Sequence, residues 1–201
     1  MTSTNALTAD DLGSAAQRDR RSRILDATVA IASEGGFDAV QMRSVAEQAD
    51  VALGTLYRYF PSKIHLLVSA LAMRFDAMMP SLTSRSIAGD TPAERVITVL
   101  KRTTRGMQGD PNLTEALTRA FMFADASVAS EIHDVGMLMT SMLTHAMDPD
   151  RTDEVNDDDV AIARVIGDVW LSALVAWVTG RSTAADTAQH METAVRLLLR
   201  D

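Results

Sequence analysis

Apolar residues recur at intervals of three and four along most of this chain, which is the spacing of one face of an α-helix. No segment shows the strict alternation of apolar and polar residues that is typical of a half-buried strand. With Pro and Gly as end signals, the pattern predicts helices at about 18–33, 42–49, 53–60, 62–79, 92–108, 113–124, 128–147, 158–180 and 184–199. We therefore predict an all-α protein of about nine helices, with polar loops at 81–90 and 148–157.

The segment 41–63, QMRSVAEQADVALGTLYRYFPSK, predicts two short helices joined by a tight turn. Val45 and Ala49 share the apolar face of the first helix, and Leu56 and Phe60 share that of the second. The opposite face of the second helix carries side chains that can donate to phosphates, stack, or contact base edges. This is the layout of a helix-turn-helix that reads the major groove of DNA.

Several residues in and near this segment are suited to contact DNA. Gly54 lacks a Cβ, so backbone N–H groups at the start of the second helix can approach a phosphate closely. Pro61 ends that helix, and Lys63 then lies within reach of the same DNA backbone. Arg18 opens a cluster of four arginines that can also meet phosphate. The candidate DNA-binding residues are Arg18, Arg43, Ser44, Leu53, Gly54, Thr55, Tyr57, Arg58, Tyr59 and Lys63.

This arrangement resembles the TetR family of ligand-responsive transcriptional regulators over residues 24–67. The matching positions are Gly36-Phe37, Val45-Ala46, Ala49-Asp50-Val51, Gly54-Thr55-Leu56-Tyr57, Tyr59-Phe60 and Lys63. Gln41 stands where the family prefers a Ser or Thr cap, and Ala52 replaces the usual Ser. The contacts of those two hydroxyls are therefore not carried over to this chain.

The resemblance implies three parts: a flexible N-terminal arm at 1–16, a helix-turn-helix DNA-binding domain at 17–63, and a ligand-binding and dimerisation domain at 64–201. A plain helical hairpin with half-buried tyrosines is the alternative interpretation of the same segment. Both tyrosines of the chain, Tyr57 and Tyr59, lie in one three-residue window, and this clustering favours a role in DNA binding.

Charge separates the two predicted domains. The chain has a net charge of −8, but residues 1–74 carry eight basic and eight acidic side chains, whereas residues 75–201 carry eleven and nineteen. The acidity therefore belongs to the C-terminal part, and a locally basic stripe near Arg18 can still meet DNA.

The composition and motifs exclude several function classes. The chain has no Cys, which excludes disulfides, thiolate catalysis and Cys-ligated zinc. Its four histidines are far apart and no catalytic motif is present, so we predict neither an enzyme nor a metal or cofactor site. The acidic run at 148–159 lacks the central Gly and closing Glu of a calcium loop. With no leader and no apolar run of ~18 residues, we expect a soluble cytoplasmic protein without a membrane partner.

The C-terminal helices are rich in methionine and aromatic residues. Methionine adapts to irregular shapes, which suits a pocket for a bulky apolar ligand and equally suits any helical core. Trp170, Leu174 and Trp177 share one helix face, which serves either a pocket or a partner helix. The candidate ligand-binding residues are Met78, Leu100, Met107, Leu117, Phe121, Met122, Met139, Leu143, Trp170, Leu174 and Trp177.

The last two predicted helices, 158–180 and 184–199, are apolar on almost all sides, which indicates burial on more than one side. By resemblance, such a pair forms a four-helix bundle with a second copy of the chain. A homodimer of this kind places two recognition helices about 34 Å apart on double-stranded palindromic operator DNA.

A narrower resemblance, to the KstR-type repressors of sterol catabolism in actinobacteria, is carried by the strings at 14–21, 40–43, 118–127 and 163–172. It implies a repressor whose hydrophobic effector is a sterol-derived CoA thioester of the cholestenone type. By analogy, the ligand would displace helix 92–108 against helix 62–79 and swing the DNA-binding unit. The alternatives are a regulator of lipid or efflux genes that senses another hydrophobic ligand, and a helical ligand-binding module without DNA function.

Overall fold

The computed structural model describes residues 9–83 and 86–200. Its helices are α1 (Ala9–Ala39), α2 (Met42–Gln48), α3 (Leu53–Tyr59), α4 (Lys63–Thr83), α5 (Pro92–Gln108), α6 (Pro111–Met122), α7 (Ala129–Met147), α8 (Asp157–Val178) and α9 (Ala184–Leu198). A 3₁₀ turn at Ala126–Val128 precedes α7. The predicted all-α class with nine helices is confirmed within the described ranges.

Helix α1 differs from its prediction at both ends. It begins at Ala9, so residues 9–16 are helical rather than part of the expected flexible arm, while residues 1–8 lie outside the described ranges. Beyond Ser33 the helix breaks at Gly35 and Gly36 and then makes one more turn to Ala39. Gly36 has φ +69°, a left-handed conformation that glycine adopts without a steric penalty.

Two prolines lie within helices, although the predicted helices 62–79 and 113–124 left them outside. Pro80 does not end α4, which continues to Thr83. Because Pro80 lies in the last turn, its missing N–H and its ring disturb only the final part of the helix. Pro111 does not merely close the preceding segment, since it is the first residue of α6 and follows the N-cap Asp110. A fixed φ and an absent donor suit that first position.

The helices pack into an N-terminal unit and a C-terminal bundle that share α4 and α6. Helix α4 packs on α1, α6 and α7, whereas α5 packs on α7, α9 and α6. A cavity lies between α4 and α5. Helices α4 and α5, which the resemblance places next to each other, face each other across this cavity. Helix α6 is the element of the C-terminal bundle that packs extensively on α1.

Helix α8 is long and apolar enough to cross a membrane by length and composition, which the sequence analysis did not expect. Only 33% of its most apolar window is buried, although Ile166, Trp170 and Leu174 lie in the core. Val165 on the same helix is 45% exposed. The helix therefore has one face in the protein core and a second apolar face that the described residues of this subunit do not cover.

Candidate DNA-binding surface and ligand cavity

Helices α2 and α3 form a compact helix-turn-helix. Val45, Ala46 and Leu56 are almost fully buried and fix the two helices on the core. The turn between them places Asp50 at φ +51°, and the next N–H, of Val51, donates to the carbonyl of Ala46 at 3.0 Å. The apolar faces predicted from sequence therefore point inward, which turns the other face of α3 to solvent.

The structure divides the predicted DNA-binding residues of these two helices by exposure. Arg43 and Ser44 are exposed at the start of α2, and Gly54, Tyr57 and Arg58 are exposed on α3. Tyr57 is 46% exposed, a large value for an aromatic side chain. The half-buried members of the set are Leu53, Thr55 and Tyr59, of which Leu53 and Tyr59 pack against the core.

The arginine cluster on α1 is only partly available for phosphate. Arg18 is exposed. Arg23 donates to the carbonyl of Ala49 at 2.7 Å and so ties α1 to the end of α2. The guanidinium of Arg21 lies 5.5 Å from the ring centroid of Phe60. Two of the four arginines therefore hold the helix-turn-helix in place.

Lys63, which the sequence predicted to contact DNA, is half-buried at the start of α4. Its Nζ atom lies 3.9 Å from the ring centroid of Phe37, a cation–π distance. Burial lowers the pKa of Lys63, the nearby Asp38 carboxylate opposes this, and the Arg119 guanidinium lowers it further. The structure therefore brings Lys63 to the end of α1 and to α6 and engages its charge there.

Neither helix of the motif has a side-chain cap. Gln41 and Ala52 are the N-cap residues of α2 and α3, and neither accepts a capping hydrogen bond through its side chain. The Gln41 amide instead donates to the carbonyl of Asp38 at 2.9 Å. The departures from the family pattern at these two positions thus remove capping contacts as well as possible phosphate contacts.

A small apolar cavity of about 70 Å³ lies in the C-terminal bundle. It is lined by Leu71, Phe75, Met107, Thr118, Phe121, Val135, Met139, Gly167, Asp168, Trp170, Leu171 and Leu174. The Trp170 indole donates to the hydroxyl of Thr104 at 2.8 Å and lies edge-on to Phe75 at 5.9 Å between ring centroids. Because Trp170 already has a hydrogen-bond partner, the cavity presents mainly carbon and sulfur to a ligand.

A second cavity, of about 280 Å³, adjoins the first and lies between α4 and α5. Its lining residues are Leu71, Arg74, Phe75, Met78, Ser81, Arg102, Thr103, Gly106, Met107, Asp110, Leu113, Thr114 and Leu117. The two cavities share Leu71, Phe75 and Met107. The smaller cavity is lined mainly by apolar side chains, whereas the wall of the larger one also includes polar and charged side chains.

Seven of the eleven predicted ligand-binding residues line these cavities: Met78, Met107, Leu117, Phe121, Met139, Trp170 and Leu174. The other four line neither cavity. Met122 is 56% exposed, Leu143 lies in the core, and Leu100 lines a groove between α5 and α9. Trp177 is half-buried nearer the end of α8. Methionine content and aromatic spacing therefore identified the right helices but not every facing side chain.

Sequence reasoning identified Met78 on α4 but missed Leu71 and Phe75, which line both cavities. Leu71, Phe75 and Met78 follow the i, i+4, i+7 spacing of one helix face, so the first two could have been added to Met78 by periodicity. Thr118, Gly167 and Asp168 carried no such signal, because small and polar residues mark a cavity only after the helices are packed. Gly167 leaves room for Met139, whose Cε atom would lie 2.7 Å from a Cβ at that position.

Two family descriptions match this chain. Residues 24–70 match the bacterial regulatory proteins of the tetR family, and residues 89–198 match the Tetracyclin repressor-like C-terminal domain. The chain therefore belongs to the TetR family of transcriptional regulators. Within the family it is 58% identical to the HTH-type transcriptional repressor KstR of Rhodococcus jostii, over 96% of this chain and 88% of that protein. Identity to the repressor of the same name from Mycolicibacterium smegmatis is 55%, over 99% of this chain and 96% of that protein.

Solved structures agree with this fold. A TetR transcriptional regulator from Rhodococcus sp. RHA1 superposes with a TM-score of 0.82 at 30% identity, covering 92% of this chain and 97% of that one. Thermus thermophilus FadR in complex with lauroyl-CoA superposes with a TM-score of 0.71 at 19% identity, covering 89% and 93%. Its similarity to these relatives identifies the protein as a DNA-binding transcriptional repressor and not an enzyme.

Proposed function

We propose that this protein binds a palindromic operator as a homodimer in the cytoplasm and is released from it by a sterol-derived CoA thioester. The observation that carries the DNA-binding half of this proposal is the exposed face of α3, where Tyr57 and Arg58 project beside Gly54. Tyrosine and arginine donors can fix the helix on phosphates or contact base edges. Arg43 and Ser44 extend the surface to the start of α2.

A homodimer is supported by the uncovered apolar face of the last two helices. Val165 on α8 and Leu197 on α9 are 45% and 54% exposed, and α8 and α9 pack against each other. A second copy would bury this surface, and burial of apolar surface drives association. Two-fold symmetry of the protein would then match the two half-sites of a palindrome.

An apolar effector is supported by the smaller cavity, since its wall consists largely of Phe121, Met139, Trp170 and other carbon-rich side chains. At about 70 Å³ the cavity is smaller than the roughly 300 Å³ at which ligand sites begin. A rigid tetracyclic ligand therefore requires the surrounding helices to move apart. The sterol identity comes from the resemblance to KstR-type repressors, and a fatty acyl-CoA is the second candidate because a fold neighbour is in complex with lauroyl-CoA.

The contacts of helix α6 suggest how ligand binding in the cavities changes the position of the DNA-binding unit. Its inner face lines both cavities through Leu117, Thr118 and Phe121. On its outer side, the carboxylate of Glu115 accepts a hydrogen bond from the backbone N–H of Phe37 at 3.0 Å. A ligand that displaces α6 therefore acts directly on the end of α1.

Further contacts fix the same junction. The guanidinium of Arg119 lies 4.4 Å from the ring centroid of Phe37 and contacts Asp38 at 3.3 Å. Asp110 accepts from the hydroxyl of Ser33 at 2.6 Å. We refer to the residues Phe37, Asp38, Lys63, Glu115 and Arg119 as the α1–α6 latch. Because α1 leads directly into α2, a shift of α6 changes the position of the recognition helices, and the ligand favours the state in which their spacing no longer fits the operator.

The substitution Tyr57→Ala tests the DNA-binding half of the proposal. We expect it to weaken operator binding by at least tenfold, because it removes a projecting donor and stacking group from α3. Circular dichroism and sedimentation should be unchanged, since the side chain is exposed. Phe123→Ala is the matched control, because Phe123 is a 70% exposed aromatic outside the helix-turn-helix. Full operator affinity of Tyr57→Ala would contradict the assigned surface.

A further inference from the structure

Two opposite charges lie on the exposed face of α8. Between Val160 and Val178, the charged side chains of this apolar helix are Arg164 and Asp168 alone. Both are exposed, and Val165 beside them is 45% exposed. A guanidinium and a carboxylate therefore interrupt the apolar surface that the proposed homodimer would cover.

These two charges do not pair with each other. They lie one helical turn apart, yet neither has an ion pair or side-chain hydrogen bond with any residue that the structure describes. An i, i+4 pair is weaker when the basic residue comes first than when the acidic residue does. On α9 the order is reversed, and Glu192 pairs with Arg196 at 3.0 Å. Arg164 and Asp168 are thus available to another chain.

A second subunit on this face would exclude water from both charges. Removing an ionised side chain from water is unfavourable unless an opposite charge compensates it. The neighbouring exposed residues Ala161 and Val165 carry no charge, so they cannot serve as counterions. The compensation for each charge must therefore come from the second subunit.

Two-fold symmetry supplies such compensation from a single pair of residues. In a symmetric dimer the same surface patch is used twice, so that a contact between two different positions occurs on both sides of the axis. One basic and one acidic residue on one helix face are therefore self-complementary. Two α8 helices that run antiparallel across an axis near Val165 place Arg164 of each copy opposite Asp168 of the other.

We propose that Arg164 of each subunit forms an ion pair with Asp168 of the partner subunit, so that two equivalent pairs flank the dimer axis. This inference rests on the homodimer of the proposed function and adds the contacts that fix its register. Charges at helix–helix interfaces set register and partner choice more than they set affinity. A slip of one turn along α8 would leave all four charges without partners.

The same contact reaches the effector cavity. Asp168 lines the smaller cavity, and among the described residues of that wall it alone is charged. Gly167 and Leu171 on either side of it line the cavity as well. This part of α8 thus separates the cavity from the partner subunit. An effector that widens the cavity would shift Asp168 and with it the angle between the subunits, in addition to displacing α6.

Charge reversal tests the pairing. Arg164→Asp places carboxylates opposite one another on both sides of the axis, and Asp168→Arg places guanidinium groups there. Each variant should raise the dimer dissociation constant about tenfold or more in sedimentation experiments, because like charges across an interface are strongly unfavourable. The variant with both substitutions restores opposite charges and should dimerise within about threefold of the wild type.

Mixing the two single variants distinguishes pairs between subunits from effects within one subunit. A heterodimer of Arg164→Asp with Asp168→Arg has opposite charges on both sides of the axis. We expect differently tagged copies of these variants to associate with about the wild-type affinity, although each alone is largely monomeric. A contact within one subunit would not be restored by mixing.

Two controls make the same charge changes outside the last two helices. Arg102→Asp alters an exposed arginine of α5, and Asp134→Arg alters an exposed aspartate of α7. Both should dimerise like the wild type. Circular dichroism checks that every variant is folded. If a single variant loses helicity, the variant with both substitutions decides, since its dimerisation requires the two reversals to compensate each other.

The outcomes separate this inference from the proposed function. If the wild type is a dimer and the single reversals dimerise equally well, the ion pairs are wrong although the homodimer stands. If neither the mixture nor the variant with both substitutions recovers dimerisation, the two residues do not pair across the axis. A monomeric wild type would remove the homodimer, and the inference would fail with it.

Discussion

At the scale of single residues, the helix-turn-helix shows which sequence signals were sufficient. The apolar positions and the exposure of Tyr57 and Arg58 followed from helical spacing alone. Lys63 did not, because its position after Pro61 gave no indication that Phe37 would lie beneath its ammonium group. A contact between residues so far apart in sequence depends on how α1 and α4 pack. Asp50 likewise holds a φ of +51°, a left-handed conformation that Asp adopts more readily than most residues and that helical spacing does not indicate.

Gly54 provides a prediction at this scale. A Cβ at Gly54 meets no atom within 4 Å, so Gly54→Ala fits the free protein and should stabilise it by about 0.5–1 kcal/mol through helix propensity. If a phosphate approaches the backbone there, the same methyl group should weaken operator binding about tenfold. Thermal unfolding and fluorescence anisotropy measure the two effects.

Gly136→Ala is the control for this substitution. Gly136 lies within α7 and also has open space around a Cβ. Its substitution should raise stability in the same way and leave operator affinity intact. Equal operator affinities for the two variants would show that no close phosphate contact occurs at Gly54.

At the scale of elements, the helices of the described ranges were predictable, but several of their ends were not, including both ends of α1. Amphipathic spacing located all nine, whereas Pro80 and Pro111 were both interpreted as end signals. Whether a helix ends, begins or continues at a proline depends on whether the neighbouring backbone groups find other hydrogen-bond partners. Capping residues such as Asp110 provide such partners. The role of α6 as the junction with α1 could not be predicted, since it rests on pairs such as Phe37 with Glu115 that only the packed structure brings together.

The α1–α6 latch gives a prediction at this scale. Arg119→Gln removes its contacts with Asp38 and Glu115 and weakens its interaction with Phe37. We expect similar ligand affinity and similar operator affinity, but a coupling between the two that is reduced about threefold or more. Operator titrations at zero and saturating effector give this coupling.

Arg196→Gln controls for the loss of an exposed i, i+4 ion pair, because Arg196 pairs with Glu192 on α9. Exposed pairs of this kind contribute little to stability. The control should keep the wild-type coupling. An unchanged coupling in Arg119→Gln would mean that the signal reaches the DNA-binding unit by another route, such as α4.

At the scale of the whole molecule, the proposed homodimer explains the exposed apolar surface of α8. The helix is apolar enough to cross a membrane, yet Arg164 and Asp168 lie within it and one face is in the core beside Trp170. A second subunit would cover the remaining apolar surface. Sequence analysis identified α8 and α9 as the dimer helices but did not separate the face buried in the subunit from the exposed face. Gly167 and Ala173, for example, are buried inside the subunit.

The double substitution Val165→Glu with Leu197→Glu should convert the dimer to a monomer, because it would place carboxylates in the proposed interface. Sedimentation velocity measures the oligomeric state, and operator binding should fall with it. Met137→Glu is the control, since Met137 is a 53% exposed apolar residue on α7. A double variant that still sediments as a dimer would place the interface elsewhere.

The most direct test of the account is fluorescence anisotropy with the palindrome nearest the protein's own gene, at one fixed salt concentration, with and without the 3-oxo-cholestenoyl CoA thioester. The account predicts tight binding by the protein alone and release on addition of the thioester. Tight binding that ignores saturating thioester would contradict the sterol effector, and no binding to any palindrome would contradict the assignment of the α3 surface to DNA.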